Sequence, residues 1–254
     1  MTDLAARPGD DADAGPRLSP SAVFADSWAV LRSRPLRLMA AALAFWALPM
    51  LALEWLIPRL VSDELWSLGA YFVATEAAAA PFRAAMVPVV WATLAGERLT
   101  SGAVMRAAAA GVGAAFVIGV FTAVAYLLSA LLLVVPMLVL ACRWLVAIPA
   151  AVIERKGPWA ALRRSAELSR GSRWRVLAAA AMFWTGAVVL MIFGQRLAAA
   201  VRGEAWGWAA GLVYYVAAAA VNGLVGVVAV TALYRRLRIA REGEPTETAA
   251  AVFD

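Results

Sequence analysis

The sequence predicts an all-α integral membrane protein, a six-transmembrane-helix bundle. Three observations carry this: overall hydrophobicity, the lengths of the apolar runs, and the placement of the basic residues. Hydrophobic residues make up 64% of the chain and charged residues 16%, with a mean hydropathy of +0.77, whereas charged residues alone supply about a quarter of a soluble domain. Such a chain cannot cover its apolar surface with polar groups, so its solvent must be largely lipid. Spanning the hydrocarbon takes roughly 20 residues at about 1.5 Å each, and six runs of that order are separated by charged or turn-forming segments.

Residues 1–18 carry Asp10, Asp11, Asp13, prolines and glycines with almost no large apolar groups, which predicts a disordered tail. They lack the basic start and prompt apolar core of a secretory signal, so no cleavage is expected. The membrane domain is expected over 19–240. It opens with Ser19 as cap and Pro20 at the first helical position, followed by Phe24, Trp28 and Leu31 on one face and Pro35 as terminator. This short N-terminal amphipathic helix either lies in the interface plane or packs its aromatic stripe on the bundle.

The spans are expected at about 38–57, 68–95, 107–135, 137–153, 176–193 and 209–233. The second contains Glu76, Pro81, Arg83 and Pro88, making it the most polar and the one expected to kink. Between Ala107 and Ile153 the sequence is apolar except for Arg143. One helix of that length would reach roughly 70 Å, more than twice the hydrocarbon thickness. The run must therefore fold back, and Pro136 is the expected breakpoint. A second disordered tail is expected over 241–254.

Basic residues test the count independently. Of 23 Lys and Arg, 18 fall in the N-terminal arm, the 2–3 loop, the 4–5 loop and the C-terminal segment, while the opposite loops hold Arg59, Arg196 and Arg202. Because short cytoplasmic loops carry the excess of positive charge, both termini are expected in the cytoplasm. Arginine far outnumbers lysine, Lys156 being the only one, and alanine is abundant; this is the usage expected of a high-GC bacterial genome.

Several functions are disfavoured. The absence of His removes the commonest general base and metal ligand. Cys142 is the only cysteine, which forbids an intrachain disulfide or a cysteine metal cluster, and its apolar setting reads as a small buried hydrophobe. No cofactor, metal site or enzymatic activity is expected. The basic residues flank apolar runs instead of forming a soluble basic face, which points to topology and away from nucleic acid.

The most informative segment is the 4–5 loop. Gly157-Pro158 starts a helix and Gly171 stops it. Ala161, Leu162, Ser165, Ala166 and Leu168 share one face, with Arg163, Arg164, Glu167 and Arg170 on the other. This predicts a cytoplasmic amphipathic helix between spans 4 and 5. Arg163, Arg164 and Arg170 become candidates for contact with anionic lipid headgroups, each worth about 1 kcal/mol near a charged leaflet.

The loop resembles the glycerophosphoryl diester phosphodiesterase membrane domain family, a group of six-span inner-membrane proteins. The resemblance rests on a proline-bearing span end, Val152-x-Glu154, Gly157-Pro158, then Ala161 through Ser165 with Leu168 and Gly171. Phe24, Trp28 and Pro35 match the family's N-terminal segment, and the whole covers about Ser19 to Arg238. The family takes its name from members fused to a soluble domain that resembles a TIM barrel of about 250 residues, rich in histidines and metal-binding carboxylates. These residues are expected to hold the membrane domain alone. The resemblance thus implies a multi-pass fold and an inner-membrane location rather than that activity.

Two functional readings stay open. One is a non-enzymatic membrane protein that scaffolds, senses or recruits, acting on lipid homeostasis through the 4–5 loop. The other is a transporter or channel component, since intramembrane ionisable residues are functional candidates. Depth matching predicts a polar core of Glu76, Arg83, Arg143 and Asn222 facing the bundle interior, with Glu76 paired to Arg143 across helices. Gly207-x-x-x-Gly211 permits close helix contact, leaving a homo-oligomer open.

Overall fold

The computed structural model describes residues 18–253 apart from 62, 133, 202, 205 and 244–247, and among the described residues the elements are all helical. The N-terminal tail expected over 1–18 therefore lies, but for Leu18, outside the described residues. In chain order the helices are α1 (Pro20–Ser33), α2 (Pro35–Ala42), a π-helical segment (Leu43–Ala47), α3 (Leu48–Leu60), α4 (Glu64–Leu94), α5 (Ser101–Leu132), α6 (Val134–Trp144), α7 (Ala147–Ile153), α8 (Pro158–Ser169), α9 (Arg173–Ala200), α10 (Gly207–Glu242) and α11 (Ala249–Phe253). Six stretches are long and apolar enough to cross a membrane: Pro35–Leu60, Gly69–Leu94, Ser101–Ser129, Val135–Ile153, Arg173–Leu197 and Gly207–Glu242. They are numbered spans 1 to 6.

The spans divide into two sets. Over an 18-residue apolar stretch of each, between 44% and 56% of the residues are buried in spans 2, 4 and 6, against 17% to 22% in spans 1, 3 and 5. Hydropathy follows the same division at its extremes: span 2 has the lowest mean value, 1.4, and the greatest burial, while span 5 has the highest, 2.3, and the least. A helix that meets lipid must be apolar on its outer side, whereas an inner helix can carry polar groups against its neighbours.

Prolines set the interruptions. A proline ring clashes with the carbonyl four residues back and supplies no N–H to it. Pro149 faces Leu145 in this way, and span 4 breaks there, α6 ending at Trp144 and α7 beginning at Ala147. Pro49 faces Phe45, and span 1 widens into the π-helical turn that contains it. The breakpoint expected at Pro136 adjoins residue 133, which lies outside the described residues; α5 is described to Leu132 and α6 from Val134, and Pro136 is helical. α4 stays helical through Pro81 and Pro88.

The chain ends meet on one face. α1 packs Val23, Ser27 and Val30 inward against α9 and α10, while Phe24 and Trp28 are turned outward, about half exposed. The aromatic stripe is thus not the packing face, although the Phe24 ring touches Phe183 at 6.4 Å. The Asp26 carboxylate accepts both Nε and Nη2 of Arg236, at 2.6 and 2.7 Å. Asp26 precedes span 1 and Arg236 lies near the end of span 6, so an even number of crossings returns the chain to its starting face.

The tail expected to be disordered over 241–254 is corrected where it is described. α10 continues to Glu242, and α11 buries Phe253 against the bundle, touching α4 and α5. A short run of alanine, valine and phenylalanine has both the helix propensity and the apolar area to dock.

Gly223 marks a close approach of spans 1 and 6, since a Cβ there would lie 2.4 Å from Cδ1 of Trp46. Trp46 is in turn held against Phe82, with ring centroids 5.8 Å apart. Gly223→Leu is predicted to destabilise the bundle by about 1–3 kcal/mol through overpacking, read as a lowered unfolding midpoint in detergent. An unchanged midpoint would mean that the two spans separate freely.

Candidate functional site

The 4–5 segment is built from the break in span 4 onward. Where α6 stops at Trp144, its last carbonyls lose their intrahelical donors, and Ser165 of α8 donates its hydroxyl to one of them, the Arg143 carbonyl, at 2.7 Å. α7 then ends at Ile153, and Arg155 turns the chain at a φ of 51°, a left-handed conformation rarely taken by residues other than glycine. Gly157 holds the N-cap position and Pro158 the first turn of α8, and Gly171 at φ 80° ends the segment. Ala161, Leu162, Ser165, Leu168 and Ser169 are the buried face of α8. The motif residues are therefore the ones that turn, start, seat and stop this helix.

Glu154 is the clamp. Its carboxylate accepts Nε of Arg164 at 2.8 and 3.1 Å, the Tyr234 hydroxyl at 2.6 Å and Nζ of Lys156 at 2.5 Å. Arg164 also donates to Glu242, which accepts Nε of Arg238 at 3.1 Å. The chain of charges ties α7 and α8 to the end of α10. Burial pushes the Glu154 pKa upward, but hydrogen bonds from Lys156, Tyr234 and Arg164 outweigh it and hold the carboxyl below its ordinary value. Arg164, expected among the lipid-contacting arginines, is instead turned inward with its side chain 18% exposed; two carboxylates outcompete the headgroup region for it.

Arg163 and Arg170 do face outward. With Arg143 and Arg173 they line a cavity of about 470 Å³ whose other charged residue is Glu167. The apolar wall is formed by Phe121, Trp144 and Trp159; the Phe121 ring meets Trp144 at 5.4 Å and, edge to face, Trp159 at 4.9 Å. Nε of Arg143 is sealed from solvent without a hydrogen-bond partner among the described residues.

The expected polar core is only partly assembled. Arg83 and Asn222 do line one cavity of about 430 Å³, but Glu76 pairs with Arg83 of its own helix at 2.6 Å and not with Arg143. α5 stands between the two. The Glu76 carboxylate lies so close to Gly119 that a Cβ there would clash with it, whereas Arg143 shares its cavity with Phe121. Residues two apart on a helix point about 200° away from each other, which puts Glu76 and Arg143 on opposite sides of α5. Similar depth was legible in the sequence, but the side of the intervening helix was not.

Sequence reasoning missed Arg173, Glu242, Tyr234 and the Asp26–Arg236 pair. Trp159, the residue after Pro158, was given no role either. Arg173 carried a usable signal, a basic residue at the mouth of span 5, while the other four follow no local pattern.

A six-span helical membrane domain, with an amphipathic helix clamped beneath span 4, is the class that this architecture defines. The family model described as the membrane domain of glycerophosphoryl diester phosphodiesterase matches residues 115–242, half of the chain, and the chain belongs to that family. The match is to the membrane domain and not to the catalytic one. No curated protein and no solved structure matches the chain.

Removing the Glu154 charge leaves Arg164 short of a partner in a mostly buried site. Glu154→Gln is predicted to cost roughly 2–4 kcal/mol at neutral pH. Because the folded pKa lies below the ordinary value of 4.5, the wild-type advantage is complete above that value and is lost as pH falls through the depressed one. Unfolding midpoints of both proteins, measured from pH 7 downward, should therefore converge in acid. A gap independent of pH would assign the loss to packing rather than charge.

Proposed function

We propose that this chain is a non-enzymatic protein of the bacterial inner membrane that engages anionic lipid through α8, serving lipid homeostasis as a scaffold or recruiting surface. In this reading the face formed by α1, α8 and the end of α10 is cytoplasmic, in line with its excess of basic residues. The supporting observation is the division of α8: one face is seated on the bundle, while Arg163 and Arg170 stay exposed near Trp159 and Trp174, which are 60% and 83% exposed. Arginine and tryptophan together suit the headgroup zone, where cation and amphipathic ring each find a partner.

Two measurements test it. The purified chain, placed in nanodiscs of mixed phosphatidylcholine and phosphatidylglycerol, should retain the anionic lipid preferentially around itself, and the Arg163→Gln, Arg170→Gln pair should reduce that enrichment; equal retention by both proteins rejects the contact. A reporter active only in the cytoplasm should work when fused after Arg238 and fail after Asp63, and the reverse pattern overturns the orientation.

One observation favours a second reading, a transporter or channel component. The cavity that holds Arg83 and Asn222 also receives Thr122 and Tyr126, and it is bordered by the π-helical turn at Trp46 and the broken backbone at Leu145. Irregular backbone at membrane depth is tolerated where it lines a cavity. Solute flux in proteoliposomes that disappears in Asn222→Leu would favour this reading over the first.

A further inference from the structure

We propose that the cavity between α5, α6, α8 and the start of α9 is a phosphate-binding site, with Arg143 as its inner donor and Arg163, Arg170 and Arg173 at its rim. This deepens the lipid-contact reading of α8 and rests on it for the placement of the site at the membrane surface. The chemistry recognised is a phosphate oxyanion, carried by a lipid headgroup or free in solution.

Four arginines surround one space with Glu167 as the lone carboxylate among its lining residues, and like charges held together oppose each other unless an anion joins them. The same segment is capable of pairing its arginines where pairing serves the fold: Arg164 is neutralised by Glu154 and Glu242 together. Among the described residues no such ion pair holds the arginines of the cavity, and they converge from three helices on one volume.

The buried Nε of Arg143 is the second observation. A guanidinium presents its donors in a planar fork that matches a phosphate in bidentate fashion. Sealing one of those donors from water without a partner among the described residues costs free energy, and a turn of the guanidinium towards an oxyanion in the cavity it lines would remove that cost. The backbone of Arg143 is meanwhile engaged by Ser165, which fixes the residue in place independently of its side chain.

The third is the wall. Phe121, Trp144 and Trp159 make the opposite side of the cavity apolar, and Arg173 opens a lipid-facing span. An oxyanion on one side with hydrocarbon on the other is the polarity of a phospholipid at the interface. A free phosphate would use the arginines alone.

The full chain is tested in two arms. In neutral detergent, inorganic phosphate is titrated by calorimetry; in nanodiscs, phosphatidic acid diluted in phosphatidylcholine is measured for saturable retention. Arg143→Gln should weaken the observed binding roughly tenfold to a hundredfold. Arg143→Lys keeps the charge and loses the fork, so it should fall in the same direction and carries the test if the glutamine variant does not fold. Arg143-dependent binding in detergent supports the site with free phosphate as a sufficient ligand, and binding confined to the nanodisc supports it with the lipid headgroup as the ligand. No saturable binding in either arm, or equal binding by the wild type and a folded Arg143 variant, overturns the site. In that event the α8 reading survives if the Arg163→Gln, Arg170→Gln pair still lowers anionic-lipid enrichment, and fails with it if not.

Discussion

The Glu154 carboxylate is the constraint on which the face of this molecule that carries α8 depends. It sits where α7 has just ended and the chain must reverse, and it gathers an arginine, a lysine and a tyrosine from three different segments. Removing a carboxylate from water is unfavourable, and the cost is offset only when several donors meet it in good geometry. Here Arg164 is shared onward with Glu242 and Arg238, so the clamp extends into the last turns of α10. With that face fixed, Ser165 can reach the free carbonyl of Arg143, and α8 has one position along the bundle.

The bundle itself follows from having lipid as solvent. Hydrophobic transfer cannot drive helix association among lipid tails, so close packing and polar contacts must do so. Span 6 illustrates the first: Gly223 admits the indole of Trp46 into the space that a side chain would occupy. Span 2 illustrates the second, where Arg83 and Glu76 neutralise each other beside Gly119. Pro149 of span 4 and Trp46 in the π-helical turn of span 1 line the cavity that holds Arg83, because backbone groups released at membrane depth need either protein or a cavity around them.

Arginine serves two ends within a short stretch of chain. Arg164 and Arg236 are consumed in joining elements, each held by carboxylates distant in sequence. Arg143, Arg163, Arg170 and Arg173 converge on a space bounded by aromatic rings. Residue type and local spacing do not separate these groups, since Arg163 and Arg164 are neighbours. The separation is made by which side of α8 faces Glu154.

The sequence by itself determined the class, the number of spans, the alternation of charge between the two faces, and the start, stop and seated face of α8. Each of these rests on short-range chemistry: run length against hydrocarbon thickness, a proline or glycine at a helix end, apolar residues recurring at helical spacing. Only the tertiary structure decided the partners. That Glu76 takes Arg83 instead of Arg143 depends on α5 passing between two spans, and that Arg164 turns inward depends on Tyr234 and Glu242 arriving from a helix some 70 residues later. The break in span 4 fell between these levels, since Pro149 foretells a clash with the carbonyl of Leu145, yet whether a helix bends, bulges or parts at a proline is settled by what packs around it.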